Sequence, residues 1–151
     1  MNYFRKYKLV VEETTEYAQK KYNASHFIFN KAKDIIGTDI NVREHMLCFF
    51  LDSQCNLTGY STISIGMEEL CSISLKQLAT LAFLSTSTRV VLLHNHPSGS
   101  NKPSDSDKSV TREVKKSLAM LDIKLLDHLV ITKDSYYSMH DEGELYEEAN
   151  Q

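Results

Sequence analysis

With 151 residues, 42% of them apolar and 25% charged, the chain has the make-up of a single globular domain able to bury its own core. Disorder would need fewer apolar residues and a larger imbalance than the net charge of −3. That slightly acidic balance also excludes a global attraction to phosphate backbones, although a local basic patch remains compatible with it.

The first residues, Met1 to Val11, are partly basic but hold no apolar run of signal-peptide length, and no later stretch approaches the roughly 20 apolar residues of a membrane span. Tyr7 to Glu12 reads as a strand. Ser25 is placed to cap a helix whose apolar residues Ile28, Ala32 and Ile35 recur at helical spacing, with Gly37 at its end. Met46 to Leu51 is a continuous apolar run, expected as a buried strand. A turn at Asp52 to Asn56 leads to a second strand ending at Ile65. Ser74 and Gln77 form a capping-box pattern for a helix running to about Leu84. Arg89 to Leu93 is a short buried strand that runs directly into His94. After a loop from Pro97 to Pro103, a helix from about Ser104 to Leu121 carries Val110, Val114, Leu118 and Leu121 on one stripe. Lys108, Arg112, Lys115 and Lys116 fall mostly off that stripe and are expected in solvent. Ile123 to Ile131 and Tyr136 to Met139 close the chain as strands, ahead of an acidic end, Asp141 to Glu148, expected to be solvated. Cys48, Cys55 and Cys71 lack the CxxC spacing of redox or zinc motifs, and are read as free thiols of a cytoplasmic protein, acting as small apolar fillers. The alternation of elements gives an α/β domain with a mixed β-sheet flanked by helices.

Both prolines fall between His94 and Asp107, together with Gly99, which marks a shaped loop leaving the end of a buried strand. Strand ends of this kind are where α/β sheets tend to place ligands. His94 and His96 alternate with Asn95, so both imidazoles project from one face and the Asn95 side chain points away, as a loop or supporting residue. Two neutral imidazoles and a carboxylate suit Zn²⁺ with a fourth position left for water, and Asp107, in the first turn after Ser104, can supply the carboxylate. Water on such a zinc becomes a nucleophile near neutral pH. Taken alone, an H-x-H pair is weak evidence for a metal, and Ser104-x-x-Asp107 is an ordinary helix cap. Their combination at one spacing carries the inference.

That spacing, H-x-H followed by seven residues, S, two residues and D, is the JAMM signature of JAB/MPN metalloproteases. The longer run His94-Asn-His-Pro-Ser-Gly99, then Pro103-Ser104, Asp107 and Leu126-Asp127-His128, with Tyr136 to Ser138 and Asp141 to Gly143, resembles the RadC branch of that family. The resemblance covers roughly the segment from Glu44 to Gly143. It implies a single JAB/MPN-like domain of cytidine-deaminase-like architecture, divided as an N-terminal strand and helix (1–43), the catalytic core (44–143) and an acidic tail (144–151). It further implies one Zn²⁺ per chain held by His94, His96 and Asp107. Glu44 would be the general acid/base, the alternative being a surface charge at a strand start. Ser104 would donate to the oxyanion. Asp127-His128 is read either as support for the site or as a structural pair, outside the catalytic set. His26, His45 and His140 match no motif. Lys76-Gln77 stands where many relatives have Arg-Glu. With only about 43 residues ahead of Glu44, the N-terminal helix-hairpin-helix region of many RadC proteins is not expected here.

The leading expectation is therefore a zinc-dependent hydrolase, a metallopeptidase or isopeptidase acting on a peptide or isopeptide-linked protein. A DNA-repair-associated nuclease is the second reading, drawn from the name RadC proteins carry; the acidic balance argues against tight DNA binding. A non-catalytic interaction domain is the third, against which stands the presence of every expected ligand. Nucleobase deaminases need H-x-E and P-C-x-x-C, and neither occurs. Manganese or iron can occupy similar sites. The sequence leaves substrate and oligomeric state open, and predicts no membrane association.

Overall fold

A computed structural model describes residues 25–66 and 73–146. The strand expected at Tyr7 to Glu12, Cys71 and the last acidic residues, Glu147 and Glu148, lie outside these residues. Helix α1 (Ser25–Ile36) buries Ile28, Phe29, Ala32 and Ile36. It ends where Gly37 adopts a φ of +61°, a left-handed conformation that costs a residue without Cβ nothing, and the chain continues as a 3-10 turn, Gly37–Asn41. Strands β1 (His45–Leu51) and β2 (Leu57–Ile65) form an antiparallel pair around the expected turn, which Asp52 organises by accepting from the backbone N–H groups of Gln54 and Asn56. Helix α2 (Leu75–Leu84) starts at Ser74, whose hydroxyl accepts from Gln77 N at 3.2 Å. Strand β3 (Arg89–Asn95), helix α3 (Asp105–Ala119), strand β4 (Lys124–Ile131) and the short β5 (Tyr136–Ser138) complete the domain.

The sheet order is β2-β1-β3-β4-β5, with β3 and β4 parallel across the α3 connection and every other pair antiparallel. The mixed sheet flanked by helices is thus present as the pattern of elements predicts. Successive side chains of a strand face opposite ways, so β1 divides between two cores. Leu47, Phe49 and Leu51 pack with α1, while Met46, Cys48 and Phe50 pack with α2 and α3. Every residue of β1 is buried for that reason. Burial also pushes the Cys48 thiol up, away from its reactive form. No helix among the described residues is long and apolar enough to cross a membrane.

Three expectations need correction. The buried stripe of α3 is Asp107, Thr111, Val114 and Leu118, whereas Leu121 lies beyond the helix and is 42% exposed. Two polar residues extend the stripe because its first turns face polar groups of β3 and β4 rather than the apolar core. Lys108 and Lys115 are not simply solvated: Lys108 Nζ donates to Glu144 Oε1 at 2.7 Å, and Lys115 Nζ donates to the carbonyl of Leu145. The acidic end is accordingly docked at Glu144 and Leu145, while Asp141 and Glu142 stay exposed as expected: Leu145 is buried against Val130 and Met139, and Tyr137 donates to Glu144. That bond pushes the Tyr137 phenol up to about 12.

Candidate metal centre

The alternation of β3 sends Val90, Leu92 and His94 toward α3 and Val91, Leu93 and Asn95 toward α1. His96 continues the ladder one step past the strand, its N–H donating to Ile131 O at 2.9 Å, so its ring emerges beside that of His94. The antiparallel pairing of Met46 with His94 carries Glu44, just ahead of β1, to the same end of the sheet. Asp107 arrives from the first turn of α3. Its carboxylate accepts from Ser104 N at 2.8 Å while Ser104 Oγ accepts from Asp107 N at 3.0 Å, a reciprocal box that leaves Asp107 with one fixed orientation.

These elements converge on a small polygon of ligand atoms. The Nε2 atoms of His94 and His96 are 3.0 Å apart, and Asp107 Oδ2 is 3.4 Å from each. Glu44 Oε1 lies 4.0 Å from His94 Nε2. Glu44, His94 and His96 offer ligand atoms within 4.8 Å of one another, a group that could hold a metal ion, and Asp107 adds a second carboxylate at its edge. His94 is wholly buried, whereas the side chains of His96 and Glu44 keep 19% and 15% exposure, so the polygon opens to solvent on their side.

Electrostatics follow from that gradient. Burial lowers the His94 pKa, against the opposing pull of Asp107. The Asp107 hydrogen bond raises that of His96, against partial burial. For Asp107 itself burial is the largest influence and acts upward, but the bonds from both imidazoles outweigh it and hold the carboxyl well below the usual carboxylate range. A carboxylate that stays ionised beside two imidazoles is a donor set for a divalent cation.

Of the residues singled out by sequence, the structure brings together Glu44, His94, His96 and Asp107, with Ser104 capping the helix that carries Asp107. Asn95 does point away from the imidazoles. It is fully buried and grips the segment on both sides of Glu44: its amide donates to Ile40 O (2.8 Å) and Arg43 O (2.9 Å), and its Oδ1 accepts from His45 N (2.7 Å). The residue between the two imidazoles thus anchors the backbone of Glu44. His45 pairs instead with Asp39, and His26 and His140 lie at the surface. Sequence reasoning missed Thr111 and Ser100. Thr111 Oγ1 bridges the carbonyl of Asp107 and His128 Nδ1, and the Ser100 carbonyl accepts from His96 Nδ1. The i+4 spacing of Thr111 from Asp107 was the available signal for the former; a backbone carbonyl leaves none.

A five-stranded mixed sheet flanked by helices, with a His–His–Glu cluster at the end of a central strand, is consistent with the JAB/MPN class of α/β domain. Residues 18–144 match the model of the RadC-like JAB domain, and the chain belongs to that family. It is 35% identical over 103 residues to a UPF0758 protein of Streptococcus agalactiae, covering 68% of this chain and 46% of that one. To a UPF0758 protein of Flavobacterium johnsoniae it is 34% identical over 124 residues, 82% of this chain and 53% of the relative. The chain therefore spans about half the length of these curated relatives.

Proposed function

We propose that this chain is a zinc-dependent hydrolase of amide bonds, with His94, His96 and Asp107 holding the metal, Glu44 as general acid/base and Ser104 as oxyanion donor. The carrying observation is the triangle of 3.0, 3.4 and 3.4 Å formed by His94 Nε2, His96 Nε2 and Asp107 Oδ2. Three ligands at about 2.0–2.1 Å in a tetrahedron around Zn²⁺ are roughly 3.3–3.4 Å apart. Glu44, at 4.0 Å from His94, stands slightly outside that triangle, which suits a proton carrier better than a ligand. Zinc at this position supplies acidity to a water and polarises a carbonyl.

The chain's own residues do the rest. Glu44, largely shielded but at the open side, takes a proton from the attacking water and returns it to the leaving amine. Asp107, held as a carboxylate by the two imidazoles, would add a negative charge to the cation site beside neutral rings, without competing for the proton that Glu44 carries. Ser104 uses its oxygen as the acceptor of the helix cap, so its O–H remains to donate to the oxyanion of the attacked carbonyl. Peptides and isopeptide-linked proteins are the substrate class that this chemistry addresses.

The experiment is metal content and zinc affinity of the purified protein and of His96→Ala, Asp107→Ala and Glu44→Gln, each checked for folding. About one zinc per chain, lost in the first two variants and kept in Glu44→Gln, is expected. Hydrolysis of a peptide or isopeptide panel by the zinc-loaded wild type should disappear in Glu44→Gln. A wild type that takes up no zinc, or an Asp107→Ala variant that keeps it while Glu44→Gln loses it, overturns the assignment.

A further inference from the structure

His94 can bind a metal through Nε2 only if the proton of its neutral ring sits on Nδ1. Metal-bound histidines usually secure this by donating Nδ1–H to a carboxylate or a carbonyl, groups that only accept. Here the partner of His94 Nδ1 is another imidazole, His128 Nε2, at 2.8 Å. An imidazole nitrogen either donates or accepts, so the contact by itself fixes nothing. Something further along must decide.

That group is Thr111. Its Oγ1 lies 2.6 Å from the carbonyl oxygen of Asp107 and 2.6 Å from His128 Nδ1. The hydroxyl has one proton, and the carbonyl, which cannot donate, takes it. Thr111 Oγ1 must then accept from His128 Nδ1–H. In a neutral ring this leaves His128 Nε2 with a lone pair, which accepts from His94 Nδ1–H, and His94 Nε2 is left with its lone pair facing His96 and Asp107. The opposite arrangement needs both nitrogens of His128 protonated, a cation in a site with no exposure at all. All three residues are buried, so water has no access to reorient the chain: Thr111 is 1% exposed, and His94 and His128 are both 0%.

We propose that Thr111 and His128 are positioning residues that set the tautomer of His94, directing its Nε2 lone pair into the metal position. This rests on the zinc assignment above. Helix α3 thereby serves the site twice, from one face: Asp107 enters as a carboxylate, and its own backbone carbonyl, through Thr111 one turn on, orders the imidazole opposite it. The relay begins and ends on the same residue.

The test has two readouts. Long-range ¹H–¹⁵N spectra of the metal-free, labelled protein report which nitrogen of each ring is protonated, and competition with a chelator gives the zinc Kd. In wild type both His94 and His128 should carry Nδ1–H. Thr111→Val keeps the shape and removes the hydroxyl, so His128 is free to move its proton to Nε2 and drive the His94 proton onto Nε2. Zinc Kd should rise about 10–100-fold, and Thr111→Ser should restore both spectrum and affinity. His128→Phe, which keeps the bulk of a ring and removes both nitrogens, should release His94 in the same way if the valine variant does not fold. An unchanged His94 tautomer with zinc Kd within about threefold of wild type in a folded Thr111→Val or His128→Phe protein overturns the relay, as does Nε2–H on His94 in wild type. If wild type binds no zinc, the hydrolase assignment falls, and the spectra alone still decide the relay by whether the valine variant switches the His94 proton.

Discussion

Asn95 offers the sharpest test of how the segment bearing Glu44, the proposed general base, is held. Replacing it by Ala removes three hydrogen bonds, to Ile40 O, Arg43 O and His45 N, from a side chain with no exposure. Ile40 and His45 are 6% and 7% exposed, so their carbonyl and N–H lose a partner where water has little access; Arg43 sits at the surface and recovers one. Each buried group left unmade costs about 1–3 kcal/mol, which for two gives roughly 3–4 kcal/mol as a central value. At 2–4 °C per kcal/mol for a domain of this size, Tm should fall by roughly 6–16 °C. Asn95→Asp gives an independent arm: its acceptor for His45 N survives, but a second oxygen replaces the amide that faces two carbonyls, so a comparable loss is expected. The assay is urea unfolding with EDTA present, so that lost metal binding does not add to the difference. Losses below about 1 kcal/mol in both variants would refute the clamp, since they would mean that the segment bearing Glu44 is held by other contacts.

Further outcomes can be checked on the same material. Asp127 is 1% exposed and accepts from Ser138 Oγ, His128 N, His140 N and Ser25 Oγ. Asp127→Ala should cost about 3 kcal/mol or more in urea unfolding, because it strips the bonds that pin β4 to β5 and to the start of α1. Ser104→Ala should cost only about 1 kcal/mol, the usual worth of an N-cap, and leave zinc content unchanged, because Ser104 N still donates to Asp107; loss of zinc in a folded variant would contradict this. Metal-free protein should lose stability as pH falls below about 6.5. Complete burial holds His128 well below its ordinary value, so the unfolded chain takes up a proton there that the folded one refuses. The slope is about 1.4 kcal/mol per pH unit for one such group. Lowered His94 adds to it and raised His96 opposes it. The fall between pH 7.5 and 5.5 should be smaller in His128→Phe by about 1 kcal/mol, and an equal fall in both proteins would refute the attribution.

Much of this protein is written locally. The all-apolar run of β1, the helical spacing in α1, the cap at Ser104 and the density of prolines and glycine between His94 and Asp107 each state one element or one loop, because hydrophobic period and backbone chemistry act over neighbouring residues. The alternation of β3 likewise dictates that His94 and His96 share a face and that Asn95 leaves it. What the sequence leaves open are relations between residues distant along the chain. Apolar spacing draws the stripe of α3 toward Leu121, whereas Asp107 and Thr111, polar by type, occupy buried positions that only the packing of α3 on β3 and β4 creates. Lys108 and Lys115 read as solvated until the 141–146 segment folds back onto them. His128 was as plausible a structural histidine as a partner of the site. Its contact with His94, 34 residues away, exists only because the parallel pairing of β3 with β4 sets Leu92 beside His128 and turns the two rings to one side. Periodicity determines which way a side chain faces; register and helix packing decide which other side chain it meets, and for two imidazoles and a hydroxyl that meeting fixes where the protons sit.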